Sequence, residues 1–273
     1  MRKLGIAFRQ EFKNHLEFSP VKIDCVEFTA EHFFYRRHRN LLIKISGQFP
    51  STLHSIGLSI GSPDSTYFND NSWRIQELKE LIRVTKPNLV TDHFAFTRHA
   101  DRDLGHLNPI PFSKSCLDLI TERALELNRF FQAPLAFENI TRFSTLSGDL
   151  EEPDFINQFC NRTGCGLLLD LTNLYVNSRN LDFDPLQWLT EIDLRFVKQV
   201  HVAGVTQGEF LLLDAHADPV DNQLKPLLTW LDYQGVKAPI VLERDENLSD
   251  LNSYFGDLKL IQSMGIDDLQ SGG

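Results

Sequence analysis

Short apolar runs alternate with longer amphipathic stretches along this chain. Eight runs stand out, at 4–8, 23–28, 52–56, 89–94, 135–139, 166–171, 197–202 and 240–244. They are rich in Leu, Ile, Val and Phe with little polar alternation, the pattern of strands covered on both faces. Pro50, Pro87, Pro134 and Pro239 introduce four of them. Between the runs the period becomes helical. The stretch 73–82 puts Ile75, Leu78, Leu81 and Ile82 on one face, and 113–131 does the same with Leu117, Ile120, Ala124 and Leu127. Ser113 stands where an N-cap belongs. Stretches 154–160, 185–190, 223–233 and 250–264 predict four more helices, and 31–45, charged first and apolar later, a less regular one.

Strand and helix alternating eight times predict an α/β fold of the (β/α)8 TIM-barrel class, in one domain over residues 1–270. The segment 105–111, with Pro109 and Pro111, reads as a loop on the rim. Ser271-Gly272-Gly273 reads as a disordered tail.

Composition narrows the partners. Hydrophobic residues make up 42% and charged residues 23% of the 273, as in ordinary globular proteins. The net charge of -10 argues against nucleic acid, whose phosphates need a basic face. No run has the length of a membrane helix. The first residues lack the apolar core of a secretory signal, so a cytoplasmic location is expected. Cys25, Cys116, Cys160 and Cys165 show no metal-knuckle spacing and read as reduced thiols, mostly buried.

In a barrel of this class the chemistry lies where the strands end. Glu27, His54, His93, Glu138, Asn139, Asp170, His201 and Glu243 stand at or near the ends of successive runs. Asn173, Asp214, His216 and Asp245 follow in the adjoining loops. His201 alone would read as a hydrogen-bonded core histidine. A ring of His54, His93, His201, His216 and several acids needs a common partner, because buried charge must be compensated. A cation is the simplest. The absence of cysteine disfavours structural zinc, and mixed imidazole and carboxylate suits iron, manganese or zinc. The set exceeds what one ion can hold, so two or three ions are expected, with Glu138 or Asp170 as bridges. His99 and His106 read as solvated loop residues, and His15, His32 and His38 as surface residues. Asp218 precedes Pro219 and reads as a turn residue. Tyr35-Arg36-Arg37-His38-Arg39 reads as a solvated basic helix face.

Several of these segments carry a resemblance. Leu53-His54-Ser55-Ile56-Gly57-Leu58-Ser59-Ile60-Gly61-Ser62, Phe137-Glu138-Asn139-Ile140 and Gly164 to Asn173 resemble motifs of the multinuclear non-haem iron-dependent oxidases. So do His201-Val202-Ala203-Gly204, Asp214-Ala215-His216 and Glu243-Arg244-Asp245. This family includes the oxidase that matures methanobactin. The resemblance implies a xylose-isomerase-like barrel with two or three irons, as Fe2+ and Fe3+, and dioxygen as co-substrate. The implied ligands are His54, His93, Glu138, Asp170, Asn173, His201, Asp214, His216 and Glu243. Asp245 is the implied general base. The implied substrate is a ribosomal precursor peptide, modified at a residue such as cysteine, with a small leader-peptide-binding protein as partner. Thr172, Val205, Arg244 and His32 depart from the family pattern beside the ligands, which marks the substrate pocket as altered. Two other readings stand beside this one. A zinc or manganese sugar isomerase, epimerase or phosphodiesterase would share the barrel, and a non-catalytic member would bind a peptide or a partner.

Overall fold

Each of the eight runs becomes a strand, and the strands close on themselves. The computed structural model describes residues 3–16, 19–64, 69, 71–99 and 102–264. The expected tail, Ser271 to Gly273, lies outside them. In chain order the elements are β1 (Leu4–Ala7), β2 (Cys25–Thr29), α1 (Arg39–Ser46), β3 (Ser51–His54), α2 (Trp73–Thr85), β4 (Leu89–His93), β5 (Ala95–His99), β6 (Arg102–Pro109) and α3 (Lys114–Phe131). There follow β7 (Leu135–Glu138), α4 (Glu152–Thr163), β8 (Gly166–Asp170), α5 (Leu171–Leu181), α6 (Pro185–Glu191) and β9 (Val197–Val202). The chain continues through β10 (Thr206–Gln207), β11 (Leu212–Leu213), α7 (Lys225–Tyr233), β12 (Ile240–Leu242) and α8 (Leu251–Ser263). The closed barrel runs β1-β12-β9-β8-β7-β4-β3-β2, with every neighbouring pair parallel.

The physical cause is burial on both faces. Strands β1, β7, β8 and β12 are buried at every position and are apolar up to their last residue, without alternation. The helices cover the outside with one apolar stripe each. In α3, Leu117, Ile120, Ala124 and Leu127 are all fully buried, and Ser113 caps the helix by accepting from the Cys116 amide at 3.2 Å. Cys116, Cys160 and Cys165 are buried, Cys25 is half-buried, and all four thiols are free. No helix among the described residues is long and apolar enough to cross a membrane.

Three features differ from the sequence reading. The stretch 105–111 was expected as a loop, but β6 runs through Pro109 and pairs antiparallel with β5. The first five residues of β6 are exposed, so no buried face imposes a period-two pattern. His99 and His106 sit on this hairpin, exposed as expected. Helix α5 went unread because it begins at the residue after β8, with no loop to separate their apolar patterns. The basic tract is only partly a solvated face. Its Arg39 is buried and donates to the Phe33 and Phe34 carbonyls at 3.1 and 2.9 Å, and also to Glu77. Short 3-10 turns at Ala30–Phe33 and Arg36–His38 therefore precede α1 in place of one regular helix.

Candidate metal centre

Strands β3, β4, β7 and β8 end on His54, His93, Glu138 and Asp170 respectively. The pairing register sets His93 beside Glu138 and Asp170 beside His201. Glu243 follows β12 directly and donates its amide to the Val202 carbonyl at 3.0 Å. Six acid and imidazole side chains thus converge at the C-terminal mouth from six separate strands, none more than 6% exposed. The loop after β9 brings two more. A Cβ at Gly204 would lie 1.8 Å from the Asp218 carbonyl oxygen, so only glycine lets this loop fold so closely on itself. His216 has φ 49°, a strained value for a residue with a side chain, and its carbonyl accepts from the Asp245 amide at 2.9 Å.

The His54 Nε2 and His93 Nε2 atoms lie 3.7 and 3.3 Å from Glu138 Oε2. On the other side, His201 Nδ1 lies 3.2 Å from Glu243, 3.5 Å from Glu138 and 4.0 Å from Asp170. Two sets able to hold an ion follow, His54–His93–Glu138 and Glu138–Asp170–His201–Glu243, with Glu138 common to both. A third convergence joins His216 Nε2 and Asp214 Oδ1 at 2.7 Å, while His216 Nδ1 lies 3.3 Å from Asp245 and 3.7 Å from Glu243.

The decisive feature is what these atoms lack. Glu138 Oε2, Asp170 Oδ2 and His201 Nδ1 are buried without a hydrogen-bond partner. Such atoms are costly, and here they face one another. Imidazole nitrogens and carboxylate oxygens converging in this way fit divalent metal ions, iron, manganese and zinc among them.

Electrostatics point the same way. Burial alone would lower the pKa of His93, but Glu138 and Asp92 outweigh it and hold it up at about 9. His201 and His216 are raised well above the ordinary value against burial, the first by Glu27, Glu243 and Glu138, the second by Asp214 and Glu243. Glu138 is brought down to about 2 despite burial, chiefly by His201 and His93. Glu243 is lowered in the same way by His201 and His216. Asp170 goes the opposite way, raised by burial and by the charges of Glu138 and Asp214.

Two of the sequence candidates have other contacts as well. Asn173, in the first turn of α5, donates its amide to Asn139 O at 3.0 Å and its oxygen accepts from the Thr141 hydroxyl. Its backbone N–H caps onto Asp170 Oδ1 at 2.6 Å, which leaves Asp170 Oδ2 turned to the cluster. Asp245 lies at the rim, where Arg9 donates to its Oδ1 from Nε at 2.9 Å. Burial would raise the Asp245 pKa, but the His216 contact and the Arg9 charge hold it below the ordinary value. Sequence reasoning missed Arg9, and it gave no role to Gln199 or to Glu27, which reaches His201 Nε2 at 3.0 Å. The available signal was a polar residue, Gln199, two before His201 on the same face of an apolar strand. Two of the departures from the family pattern adjoin the cluster in sequence, Thr172 two residues after Asp170 and Arg244 directly after Glu243. Thr172 ties α5 to Ala203, and Arg244 pairs with Asp257 of α8 at 3.1 Å.

The family model described as RiPP precursor modification enzyme MbnB/TglH/ChrH matches residues 3–265. A UPF0276 protein of Rhizorhabdus wittichii is 30% identical over 253 residues, covering 90% of this chain and 88% of that protein. One from Caulobacter vibrioides is 29% identical over 268 residues, covering 95% and 92%. Among solved structures, a xylose isomerase domain protein from Planctomyces limnophilus superposes with a TM-score of 0.62 at 13% identity, covering 96% of this chain and 97% of that one. Endonuclease IV from Thermus thermophilus gives 0.58 at 16%, with coverage of 96% and 97%. At these identities the structural likeness establishes the xylose-isomerase-like barrel and nothing about the reaction.

Proposed function

The chain belongs to the RiPP precursor modification enzyme family MbnB/TglH/ChrH, and on that premise we propose that it is an iron-dependent oxidase of a ribosomally made precursor peptide. The observation that carries the metal half of this reading is the set of buried, unpartnered ligand atoms facing one another at the barrel mouth. We assign His54, His93 and Glu138 to one ion, and Glu138, Asp170, His201 and Glu243 to a second. Asp214 and His216 would serve a third or complete the second, and Asn173 would join the set by giving up its Thr141 contact. Two or three ions, as Fe2+ and Fe3+, would supply one-electron chemistry with dioxygen.

The protein's own part is geometric and electrostatic. Strand ends fix the ligands on the most rigid element of the fold. The depth of the cluster limits access by water. Asp245, partly open to solvent and held below its ordinary pKa, would take a proton from the substrate. The resemblance carries the choice of cysteine as the modified residue and of a small leader-binding protein as partner. A cytoplasmic setting fits the four free thiols.

The zinc or manganese sugar isomerase, epimerase or phosphodiesterase alternative shares the barrel and a donor set that would suit those ions, but not the family match. Metal analysis of protein produced without added metal separates the readings. Iron at about two equivalents or more, with oxygen uptake that depends on a precursor peptide, is the expected result. Zinc or manganese in place of iron, with no oxygen uptake, would overturn the oxidase reading.

A further inference from the structure

Barrel interiors of this class are filled by layers of bulky aliphatic side chains. The layer directly beneath the metal centre is different. It contains Glu27 and Gln199, each 1% exposed, and Thr52 at 5%. Glu27 and Thr52 are paired neighbours across β2 and β3. Gln199 and His201 are two apart on β9 and so point inward together. Burying a carboxylate and an amide here costs more than an aliphatic layer would, so the polar layer calls for a reason.

The hydrogen bonds supply one. Thr52 Oγ1 donates to Gln199 Oε1 at 2.8 Å, which turns the amide nitrogen of Gln199 toward Glu27. Gln199 Nε2 then donates to Glu27 Oε2. The same carboxylate oxygen lies 3.0 Å from His201 Nε2. The Gln199 amide nitrogen also lies 3.0 Å from His201 Nε2, but it donates to Glu27; a carboxylate only accepts, so a hydrogen bond between Nε2 and Glu27 puts the proton on Nε2 of the imidazole. The opposite nitrogen, Nδ1, faces Glu243, Glu138 and Asp170 at 3.2, 3.5 and 4.0 Å and has no hydrogen-bond partner. His54 is arranged in the reverse sense, its Nδ1 held by Thr91 Oγ1 at 2.8 Å and its Nε2 turned to Glu138.

We propose that Glu27 is a positioning residue of the metal centre: held by Gln199 and Thr52, it takes the Nε2–H of His201 and thereby presents Nδ1 to the ion. The inference rests on the metal-centre reading above and adds a tautomer, an orienting carboxylate and the two residues that aim it. An imidazole whose outer N–H is tied to a carboxylate is both better oriented and more basic toward a metal, and losing that carboxylate typically costs 10- to 100-fold in affinity.

The test uses the full-length, metal-free protein and Zn2+ as a diamagnetic probe, with affinity measured against a competing chelator. Glu27→Leu is expected to bind zinc about 10- to 100-fold more weakly. Its metal-free thermal stability should fall, because the His201 Nε2–H and the Gln199 amide are left buried without their acceptor, so affinity is read per folded molecule. Glu27→Gln keeps an acceptor oxygen and should recover part of the loss. Nitrogen-15 histidine NMR of the zinc-loaded wild type should show His201 protonated at Nε2 and metal-bound at Nδ1, and Glu27→Gln should shift the Nε2–H signal. Wild-type zinc affinity in folded Glu27→Leu, or metal on His201 Nε2, would overturn the proposal. Where Glu27→Leu does not fold, unchanged affinity and an unchanged Nε2–H signal in Glu27→Gln overturn it equally. A wild-type protein that takes up no metal would sink the metal-centre reading itself.

Discussion

Two groups of buried charge lie near the end of β7, and they are built on opposite principles. In one, Arg142 donates to Glu152 Oε2 at 2.8 Å and the Trp188 indole donates to the same oxygen at 3.2 Å. That carboxylate has its partners inside the protein, and among the described residues only a single donor, Arg142 Nε, is left over, with no other unpaired atom facing it to make a site. In the other, Glu138, Asp170 and His201 each keep a buried atom with nothing to bond to. Burial of charge is therefore a poor marker of function by itself. The informative quantity is what remains unpaired after the protein's own groups have been counted, and at the barrel mouth the remainder suits a cation.

The sharpest break of this comparison is to remove the shared acid. Glu138→Ala takes a ligand from both sets at once, so bound metal and activity are expected to fall together to background, as read by elemental analysis and turnover. A variant with full metal content would show that the cluster is held together for structural reasons. Glu152→Ala should do the reverse. It strands a buried Arg142, and breaking such a pair costs about 3–5 kcal/mol. Thermal unfolding should record that loss while metal content per folded molecule stays at the wild-type level. Metal loss in Glu152→Ala would erase the distinction between the two groups.

The same distinction explains what the sequence disclosed. All eight barrel strands were legible, because a strand buried on both faces leaves a short apolar run, and its length and the flanking prolines separate it from a buried helix segment. Most of the site followed, because position at a strand end is a one-dimensional property: His54, His93, Glu138 and Asp170 could be placed by counting. Partners across the barrel could not. Arg9 meets Asp245 from 236 residues away, and Glu27 meets His201 from 174. Neither pair leaves a local signature. Helix α5 and the β5–β6 hairpin were missed for local reasons, the first for want of a loop and the second for want of a buried face.

Protons can stand in for metal, and pH should expose the substitution. In the metal-free protein His93 is held at about 9, above its ordinary 6.5, by Glu138 and Asp92 acting against burial. A raised folded-state value stabilises the protein below pH 6.5, and that stability is lost as pH rises through about 9. The loss is roughly 3–4 kcal/mol, since each tenfold gain in proton affinity is worth about 1.4 kcal/mol. Metal-loaded protein should slope the other way, because ions displace protons from imidazole and bind more tightly as pH rises. Chemical denaturation of both forms between pH 6 and 9.5 measures the two slopes. Parallel curves would mean that protons and metal do not compete for the same nitrogens.

The smallest expected effect on stability is at Arg9, and it tests where the centre ends. Arg9 and Asp245 form a rim pair, with side chains 13% and 49% exposed, so solvent screens most of its worth. Arg9→Met should cost less than about 1 kcal/mol in folding stability and leave metal content unchanged. Its consequence lies in Asp245, whose carboxyl Arg9 and His216 together hold below the ordinary value. Without the guanidinium that carboxyl needs a higher pH to ionise. If Asp245 accepts a proton during turnover, the acid limb of the pH–rate profile moves to higher pH. An unmoved profile with metal still bound would separate Asp245 from proton transfer and leave it as a fastener of the His216 loop, through the amide that it donates to the His216 carbonyl.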